Sequence, residues 1–368
     1  MNVNLENDIT FQRIQAWMLR SNYSGGIRRV AGMNAALATD VGIVRTQNQD
    51  RVVMARGKDF NGDTYLLAIL CDGMGGMQDG EYCAATTIAS FISSFIKTSR
   101  KVGMANDWLI ESAMAANHAL HKKYSGTGGA TLSSVLLKQD GRAYWINVGD
   151  SRIYQTTPTE VTQITRDDTI AGQLGKNEAP SSRTSELLQY IGIGEVLEPH
   201  VSRLSLEGSS YIVLTSDGIH YLQPETFNSL ITKSKDPGTC ARRLIEVAKW
   251  CSGHDNCSTA IIEASTAESI GNIRTLPSQF DIWDPFGELQ LFDEPIEPNE
   301  TSIKSEKNRQ RRVITPKASE HRKKIRATGK TKKTEKTEKT KKESSEIIPE
   351  FKSEKVPQLK ISFPIKDD

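Results

Sequence analysis

Short apolar runs alternate with amphipathic segments between residues 34 and 264. Four of the runs are short and rich in residues that favour strands, which predicts β-structure. They are 65–71, 143–148, 211–216 and 258–262. Three other segments carry apolar residues at helical spacing, which predicts helices with one buried face. They are 84–95, 109–120 and 241–251.

The predicted strands are not separated one by one by helices. Residues 141–148 and 151–155 are both strand-like, and they meet across a tight turn at Gly149 and Asp150. Strands joined by so short a turn pair antiparallel, because a parallel pair needs a long crossover connection. The pattern therefore favours an α+β layered domain with antiparallel sheets over a doubly wound parallel sheet.

One apolar strand ends abruptly in a carboxylate. Residues 66–71 are apolar, Asp72 follows, and Gly73, Met74 and two further glycines come next. A carboxylate at a strand end, beside backbone that allows close approach, suits a hard cation and a phosphate. The same residues also fit an ordinary glycine turn with a solvated aspartate. Taken alone, this stretch leaves both interpretations open.

Carboxylates at strand boundaries recur along the chain. Four further sites are centred on Asp50, Asp150, Asp217 and Asp255. Five such units can converge on one end of a stack of sheets, where their carboxylates would repel one another unless cations neutralised them. We expect Mg²⁺ or Mn²⁺, because the ligands are oxygens and no His or Cys cluster favours zinc.

The order and spacing of these motifs resemble the metal-dependent protein Ser/Thr phosphatases, known as the PPM or type 2C family. The resemblance extends over residues 34–264. Its six motifs are, in order, Arg45…Asn48-Gln49-Asp50, Asp72-Gly73-Met74-Gly75-Gly76, Gly128-Gly129-Ala130-Thr131, Gly149-Asp150-Ser151-Arg152, Ser216-Asp217-Gly218 and Asp255-Asn256. The resemblance implies an α+β fold of the type 2C kind, a four-layer αββα sandwich with two central, mainly antiparallel β-sheets flanked by helices.

The resemblance also implies a metal centre. Asp72 would bridge two Mn²⁺ or Mg²⁺ ions, and the carbonyl of Gly73 would be a further ligand. Asp217 and Asp255 would complete the coordination of the first metal, partly through waters. These four residues are the metal ligands that we expect for the two main ions.

Three more residues receive roles from the same resemblance. Asp50 would hold metal-bound water, and Asp150 would share a third, weaker ion with Asp217. Arg45 would clamp the phosphate of the substrate, which suits the planar fork of donors on a guanidinium. The expected catalytic residues are therefore Arg45, Asp72, Asp217 and Asp255.

The expected chemistry follows from the ions. Two metals lower the pKa of a bridging water and supply hydroxide near neutral pH. That hydroxide would attack phosphorus in line, so phosphoserine and phosphothreonine in a protein substrate would be hydrolysed without a phosphoenzyme. We expect an enzyme that opposes a cognate Ser/Thr kinase. The alternative is a catalytically weak, phosphate-sensing adaptor on the same fold that acts through its tail.

Three residues depart from the usual pattern of the family. Met74 stands where eukaryotic members usually carry a histidine that could act as general acid, so a water would protonate the leaving group. Gln49 replaces the usual glutamate, and both changes indicate the bacterial branch. Asp168 stands where the family usually has a histidine. Any role of that histidine in the variable flap, which corresponds to residues 167–200, is therefore in doubt here.

The chain divides into four predicted segments. Residues 1–33 form an N-terminal extension with helical spacing, and residues 34–264 form the catalytic domain. Residues 265–300 are acidic and aromatic, and they either pack on a domain or act as a linear docking motif. Residues 301–368 form a Lys-rich tail that ends in a short apolar motif, and low hydrophobicity predicts that it is disordered.

Charge and cysteine content limit the partners and the compartment. The formal net charge of +2 hides an acidic body, because Lys and Arg outnumber Asp and Glu in the tail. An acidic body argues against nucleic acid. The Lys-rich tail could bind nucleic acid or acidic lipid, but its interleaved glutamates and lack of aromatic residues favour a solvated tether, which we expect to recruit a protein partner. Five cysteines without metal-type spacing predict reduced core thiols. No apolar stretch reaches membrane-spanning or secretory length, so we expect a cytoplasmic protein.

Overall fold

Two β-sheets lie at the centre of this protein, as shown by a computed structural model. The structure describes residues 8–20, 24–74, 79–174, 186–251, 253–273 and 276–292. The predicted tail at 301–368 lies outside the described residues, and so do Gly75 and Gly76 of the glycine turn.

Among the described residues, six strands form the first sheet, and every neighbouring pair is antiparallel. In spatial order they are β1 (Gly25–Arg29), β2 (Ala35–Asp40), β11 (Cys257–Glu263), β10 (Tyr211–Thr215), β7 (Arg152–Thr156) and β8 (Val161–Gln163). The second sheet has seven strands, which also pair antiparallel. They are β13 (Glu288–Phe292), β12 (Gln279–Trp283), β3 (Asp50–Lys58), β4 (Thr64–Asp72), β5 (Leu132–Lys138), β6 (Ala143–Val148) and β9 (His200–Leu204).

Helices pack against both sheets. They are α1 (Ile9–Met18), α2 (Gly80–Ser99), α3 (Ala105–Tyr124), α4 (Ile170–Leu174), α5 (Asp217–His220), α6 (Pro224–Thr232), α7 (Pro237–Cys251) and α8 (Thr266–Ser269), followed by a 3₁₀ turn at Ile270–Asn272. The apolar faces of α2 and α3 pack on the seven-stranded sheet, and those of α6 and α7 pack on the six-stranded sheet. In the described part of the chain, none of these helices is both long and apolar enough to cross a membrane.

Strand β4 shows why the chain forms layers. Leu66, Ala68 and Leu70 point into the core between the two sheets, whereas Leu67 and Ile69 point into the core beneath the helices. All five side chains are fully buried. A strand covered on both faces has to be apolar at every position, because its side chains alternate between the faces. The predicted four-layer αββα sandwich is confirmed.

The segment before residue 34 supplies both a helix and a strand. Asp8 caps α1, because its Oδ1 accepts a hydrogen bond from the N–H of Thr10 at 2.9 Å. Phe11, Ile14 and Met18 of α1 are buried in the core that α2 and the seven-stranded sheet share. Strand β1 then pairs with β2 at the edge of the first sheet.

The segment after residue 264 adds a hairpin to the second sheet. Strand β12 pairs with β3, and Asp281 lies opposite Arg56 in the register. Nη2 of Arg56 donates to Oδ2 of Asp281 at 2.7 Å, and the carboxylate is fully buried. Beyond β12, Arg20 donates to both oxygens of Asp284 at 2.6 and 2.7 Å, which ties the hairpin to the end of α1. A chain cut at Ala264 would lose both ion pairs.

The cysteines are free thiols, as expected, but one of them is not in the core. Cys71, Cys83, Cys240 and Cys257 are buried, whereas Cys251 is exposed. The prediction of a core thiol is wrong for Cys251, because it is the last residue of α7 and the buried stripe of that helix ends at Ala248. Apolar spacing alone does not show where a helix leaves the sheet on which it packs.

The buried ion pair gives a test of how firmly the hairpin belongs to the fold. Asp281→Ala should lower the free energy of unfolding by about 3–5 kcal/mol, because it leaves the guanidinium of Arg56 buried without its partner. Asp140→Ala is the matched control, since the Asp140–Arg142 pair is exposed and should contribute less than about 1 kcal/mol. Urea denaturation measures both changes. Equal losses in the two variants would show that the hairpin is not held by this pair.

Candidate metal and phosphate site

The antiparallel register brings the strand-end carboxylates to one end of the sandwich. Asp50 opens β3 and lies directly opposite Asp72, the last residue of β4. Asp217 follows β10 and begins α5, while Asp255 precedes β11, the neighbour of β10. Asp150 lies in the turn between β6 and β7. Residues that are far apart in the sequence therefore meet at one edge, as the recurrent motifs predict.

A cleft of about 170 Å³ opens at this edge. Six of the seven predicted site residues line it: Arg45, Asp72, Gly73, Asp150, Asp217 and Asp255. Asp50 is not in the wall of the cleft and is 2 % exposed. Asp50 is buried and pairs with Asp72 in the β3–β4 register. It can therefore influence the cleft only indirectly, through Asp72 and the other residues that line the cleft.

Hydroxyl groups hold the backbone of Asp72. Its N–H donates to Oγ1 of Thr131 at 2.9 Å, and the N–H of Thr131 donates to the carbonyl of Asp72 at 2.8 Å. Oγ1 of Thr131 also lies 2.6 Å from Oγ of Ser151. Burial, together with the nearby charges of Asp50 and Asp217, raises the pKa of Asp72 well above its usual value. The site thus holds a carboxylate whose charge is poorly compensated by the protein.

Asp50 is held by a serine from the other sheet. Oγ of Ser216 donates to Oδ2 of Asp50 at 2.7 Å and accepts the N–H of Ser258 at 2.9 Å. Burial raises the pKa of Asp50 to about 6. Oδ1 of Asp50 and Oδ1 of Asp217 are buried oxygens that have no hydrogen-bond partner among the described residues. Such unpaired oxygens are uncommon in folded proteins, and at this position they could accept a cation or a water.

The donor chemistry fits a hard divalent cation. The candidate ligands are carboxylate oxygens and a carbonyl, which Mg²⁺ and Mn²⁺ prefer over the nitrogen and sulfur ligands of zinc sites. In this conformation, no three His, Cys, Asp or Glu side chains of the described residues converge closely enough to hold an ion. Asp255 is turned to Arg45, whose Nη2 donates to Oδ2 of the carboxylate at 2.7 Å. The residues present therefore match the ions in chemistry, while Asp255 is paired with a cation of the protein itself.

Asn256 joins the two loops that carry Arg45 and Asp255. Its Oδ1 accepts the N–H of Gln49 at 2.8 Å, and its Nδ2 donates to the carbonyls of Val41 and Gln47, both at 3.0 Å. This role was not predicted, although Asn256 belongs to the last motif. An amide is suited to it because one side chain supplies both an acceptor and two donors.

Two further features of the cleft come from the fold. Gly73 has no room for a side chain, since a Cβ there would overlap the carbonyl oxygen of Gly80. Leu187 lines the cleft from the predicted flap, of which residues 175–185 lie outside the described residues. The glycine could be anticipated from its turn, but nothing in the sequence singles out Leu187.

Bacterial protein phosphatases are among the known proteins that resemble this chain. Protein phosphatase PhpP of Streptococcus pneumoniae is 27% identical over 251 residues, which are 64% of this chain and 100% of that protein. Serine/threonine phosphatase stp of Listeria monocytogenes is 26% identical over 246 residues, 63% of this chain and 96% of the other. The chain is therefore similar to the bacterial PPM phosphatases over about two thirds of its length. No protein-family model matches it.

A solved structure supports the same similarity. The crystal structure of the Mycobacterium tuberculosis serine/threonine phosphatase PstP matches with a TM-score of 0.52 at 26% identity, over 64% of this chain and 97% of that one. The match concerns about two thirds of the chain, as the sequence motifs do. The family resemblance inferred from the motifs is therefore confirmed for the bacterial branch.

The pKa of Asp50 predicts how the stability of this protein depends on pH. Its folded pKa of about 6 lies above the value near 3.9 of an unfolded aspartate, so the folded state holds the extra proton between these pH values. Ionised Asp50 therefore lowers the free energy of unfolding as the pH rises through 6. In EDTA, the free energy of unfolding of Asp50→Asn relative to that of the wild type should therefore increase by about 1–3 kcal/mol from pH 4 to pH 7.

Chemical denaturation at the two pH values measures this gain. Asp140→Asn serves as the control and should show no gain, because that carboxylate lies in a surface pair with Arg142. Saturating Mn²⁺ should stabilise the wild type at pH 7, since a ligand that binds only the folded state shifts the equilibrium towards it. If Asp50→Asn is more stable than the wild type by the same amount at both pH values, the result would contradict a change in the ionisation of Asp50 between pH 4 and pH 7.

Proposed function

We propose that this chain hydrolyses phosphoserine and phosphothreonine in proteins with the help of two Mn²⁺ or Mg²⁺ ions, and that it opposes a Ser/Thr kinase. The observation that carries the proposal is the cleft itself, where one arginine and four carboxylates of distant strands come together. The names of the relatives support the reaction, since they are protein phosphatases or serine/threonine phosphatases. Phosphorylated proteins are accordingly the substrates that we propose.

The proposed ligands of the two ions are Asp72, the carbonyl of Gly73, Asp217 and Asp255. Asp150 would contribute to a third, weaker ion together with Asp217. When bound, the ions would supply hydroxide near neutral pH and neutralise charge on the phosphate. The protein's part is to hold its oxygens in a buried site, where the loss of hydration makes their attraction for cations strong.

Arg45 is suited to bind the phosphate. Its side chain is 42% exposed at the mouth of the cleft, and the carboxylate of Asp255 raises its pKa through their hydrogen bond. A guanidinium can donate two parallel hydrogen bonds to a phosphate. The backbone of the loop that carries Arg45 is held in place, because the N–H groups of Ile43 and Val44 donate to the carbonyl of Gly253 at 2.9 and 3.3 Å. Arg45 would therefore exchange Asp255 for the substrate without moving its backbone.

The protein's own groups favour a direct displacement over a phosphoenzyme. No cysteine is among the described residues that line the cleft. The nearest candidates in the motifs, Cys71 and Cys257, are buried, and burial raises the pKa of both thiols far above neutrality. Because a nucleophilic cysteine needs its thiolate, neither residue suits a covalent mechanism.

The cleft also offers no histidine as general acid within the described residues. Met74 lines it in place of one and cannot donate a proton. His220 is 7% exposed behind Asp217, and burial lowers its pKa well below the usual value. A neutral imidazole of low pKa is a poor acid at pH 7. We therefore propose that solvent protonates the leaving alkoxide.

The proposed partners beyond the substrate are a cognate Ser/Thr kinase and a protein bound by the tail. The tail lies outside the described residues, so this part of the proposal rests on its composition alone. A truncation that tests it should end after Phe292 and not at Ala264, because the hairpin β12–β13 is part of the seven-stranded sheet.

Turnover of para-nitrophenyl phosphate and of a phosphothreonine peptide in Mn²⁺ tests the enzymatic proposal. Asp72→Asn should abolish turnover because it removes a charge from the proposed bridging ligand. Arg45→Ala should lower kcat/KM by about 10- to 100-fold, which corresponds to the loss of a charged hydrogen bond. Asp140→Asn should behave as wild type. Turnover that persists in EDTA, or that Asp72→Asn leaves intact, would refute the metal-dependent mechanism.

A further inference from the structure

Asp168 is a buried carboxylate that accepts hydrogen bonds from three different segments. It is 1% exposed, between β8 and α4. Its Oδ2 accepts the N–H of Gly149 at 2.9 Å, and its Oδ1 lies 2.9 Å from Nε2 of His200 and accepts Nε2 of Gln189 at 3.4 Å. Because a carboxylate only accepts, Nε2 of His200 carries the proton in this pair.

The first of these contacts fixes the turn that carries Asp150. The N–H of Asp168 donates to the carbonyl of Gly149 at 3.0 Å, so backbone and side chain together hold this residue. Gly149 has a φ of +97° and lies against Thr131, where a Cβ would meet Cγ2 of the threonine at 2.8 Å. The turn therefore packs between Asp168 and Thr131. Thr131 also binds the backbone of Asp72.

The other contacts fix the flap beside the cleft. The N–H of Leu188 donates to the carbonyl of Asp168 at 2.7 Å, and Leu187 forms a β-bridge with Thr169. Further along, Ile191 pairs with Ala130, which in turn pairs with Gly73. Residues 186–191 therefore lie between Asp168 on one side and the Gly73 turn on the other. Leu187 enters the wall of the cleft as a result of this attachment.

We propose that Asp168 is a positioning residue that fixes Asp150 and the flap residue Leu187 relative to each other, and thereby sets how the cleft holds the peptide around the phosphorylated residue. The proposal rests on the proposed function. A histidine at this position could accept only one hydrogen bond, so it could not serve three donors. Asp168, which stands where the family usually has a histidine, therefore has hydrogen-bond partners that a histidine could not serve together, His200 and Gln189.

The test uses the full-length chain with four substitutions and one control. Asp168→Asn and Asp168→Ala remove acceptors, and His200→Ala removes a donor. His200→Gln is the conservative variant, because an amide nitrogen can still donate to Asp168. Asp140→Asn is the control, since Asp140 likewise accepts a backbone N–H, that of Arg142 at 3.0 Å, but on an exposed turn.

Amide hydrogen exchange is the first measurement, because it needs no turnover. Asp168→Asn should increase exchange at Gly149 and Leu188 at least tenfold, while Asp140→Asn leaves both unchanged. His200→Ala should increase exchange at Leu188, and His200→Gln should restore the wild-type rate. If Asp168→Asn exchanges like the control at both positions, the inference is overturned. This result is independent of whether the chain proves to be a phosphatase.

Kinetics and Mn²⁺ titration then distinguish positioning from general destabilisation. For Asp168→Asn we expect KM for the phosphothreonine peptide to rise about tenfold, with kcat/KM for para-nitrophenyl phosphate within threefold of wild type. Calorimetry should show weaker binding of the lower-affinity Mn²⁺, because Asp150 is no longer fixed. Equal losses on both substrates would indicate a merely structural role and would overturn the inference. A wild type without turnover would refute the proposed function but leave the exchange result to decide on Asp168.

Discussion

Asp50, which is buried, and Asp72, which is half-buried, face each other across the β3–β4 ladder, and the rest of the cleft is arranged around this pair of carboxylates. Asp217 adds a third charge from the other sheet, and the burial of the group raises the pKa of each member. The protein supplies few donors to offset this cost. Like charges held this close together cost free energy, which either protonation or a bound cation would lower.

Small hydroxyl and amide side chains hold these carboxylates in place. Thr131 binds the backbone of Asp72, Ser216 binds the carboxylate of Asp50, and Asn256 connects the two neighbouring loops. Each of them comes from a different strand or loop than the residue that it supports. Both sheets therefore contribute to holding the site, which is consistent with the proposed metal centre, because such a centre needs ligand oxygens in fixed positions.

The motifs allowed a close prediction of which residues meet in the cleft, but not of how they meet. Six of the seven predicted site residues line it, because strand ends in an antiparallel sandwich gather at one edge. Asp50 lies behind Asp72, a difference that depends on side-chain orientation and on Ser216. The contacts of Asp168 and the position of Leu187 could not be predicted, since both depend on bridges to residues distant in the chain.

The sequence by itself determined the layered α+β fold and the five strand-end carboxylates, because both follow from local patterns of apolar residues and turns. Only the tertiary structure decided that residues 279–292 form a hairpin on the seven-stranded sheet, since the Arg56–Asp281 pair joins strands more than two hundred residues apart. It also decided which oxygens are left without a partner. Burial and long-range pairing set these outcomes, and neither is a property of a short stretch of sequence.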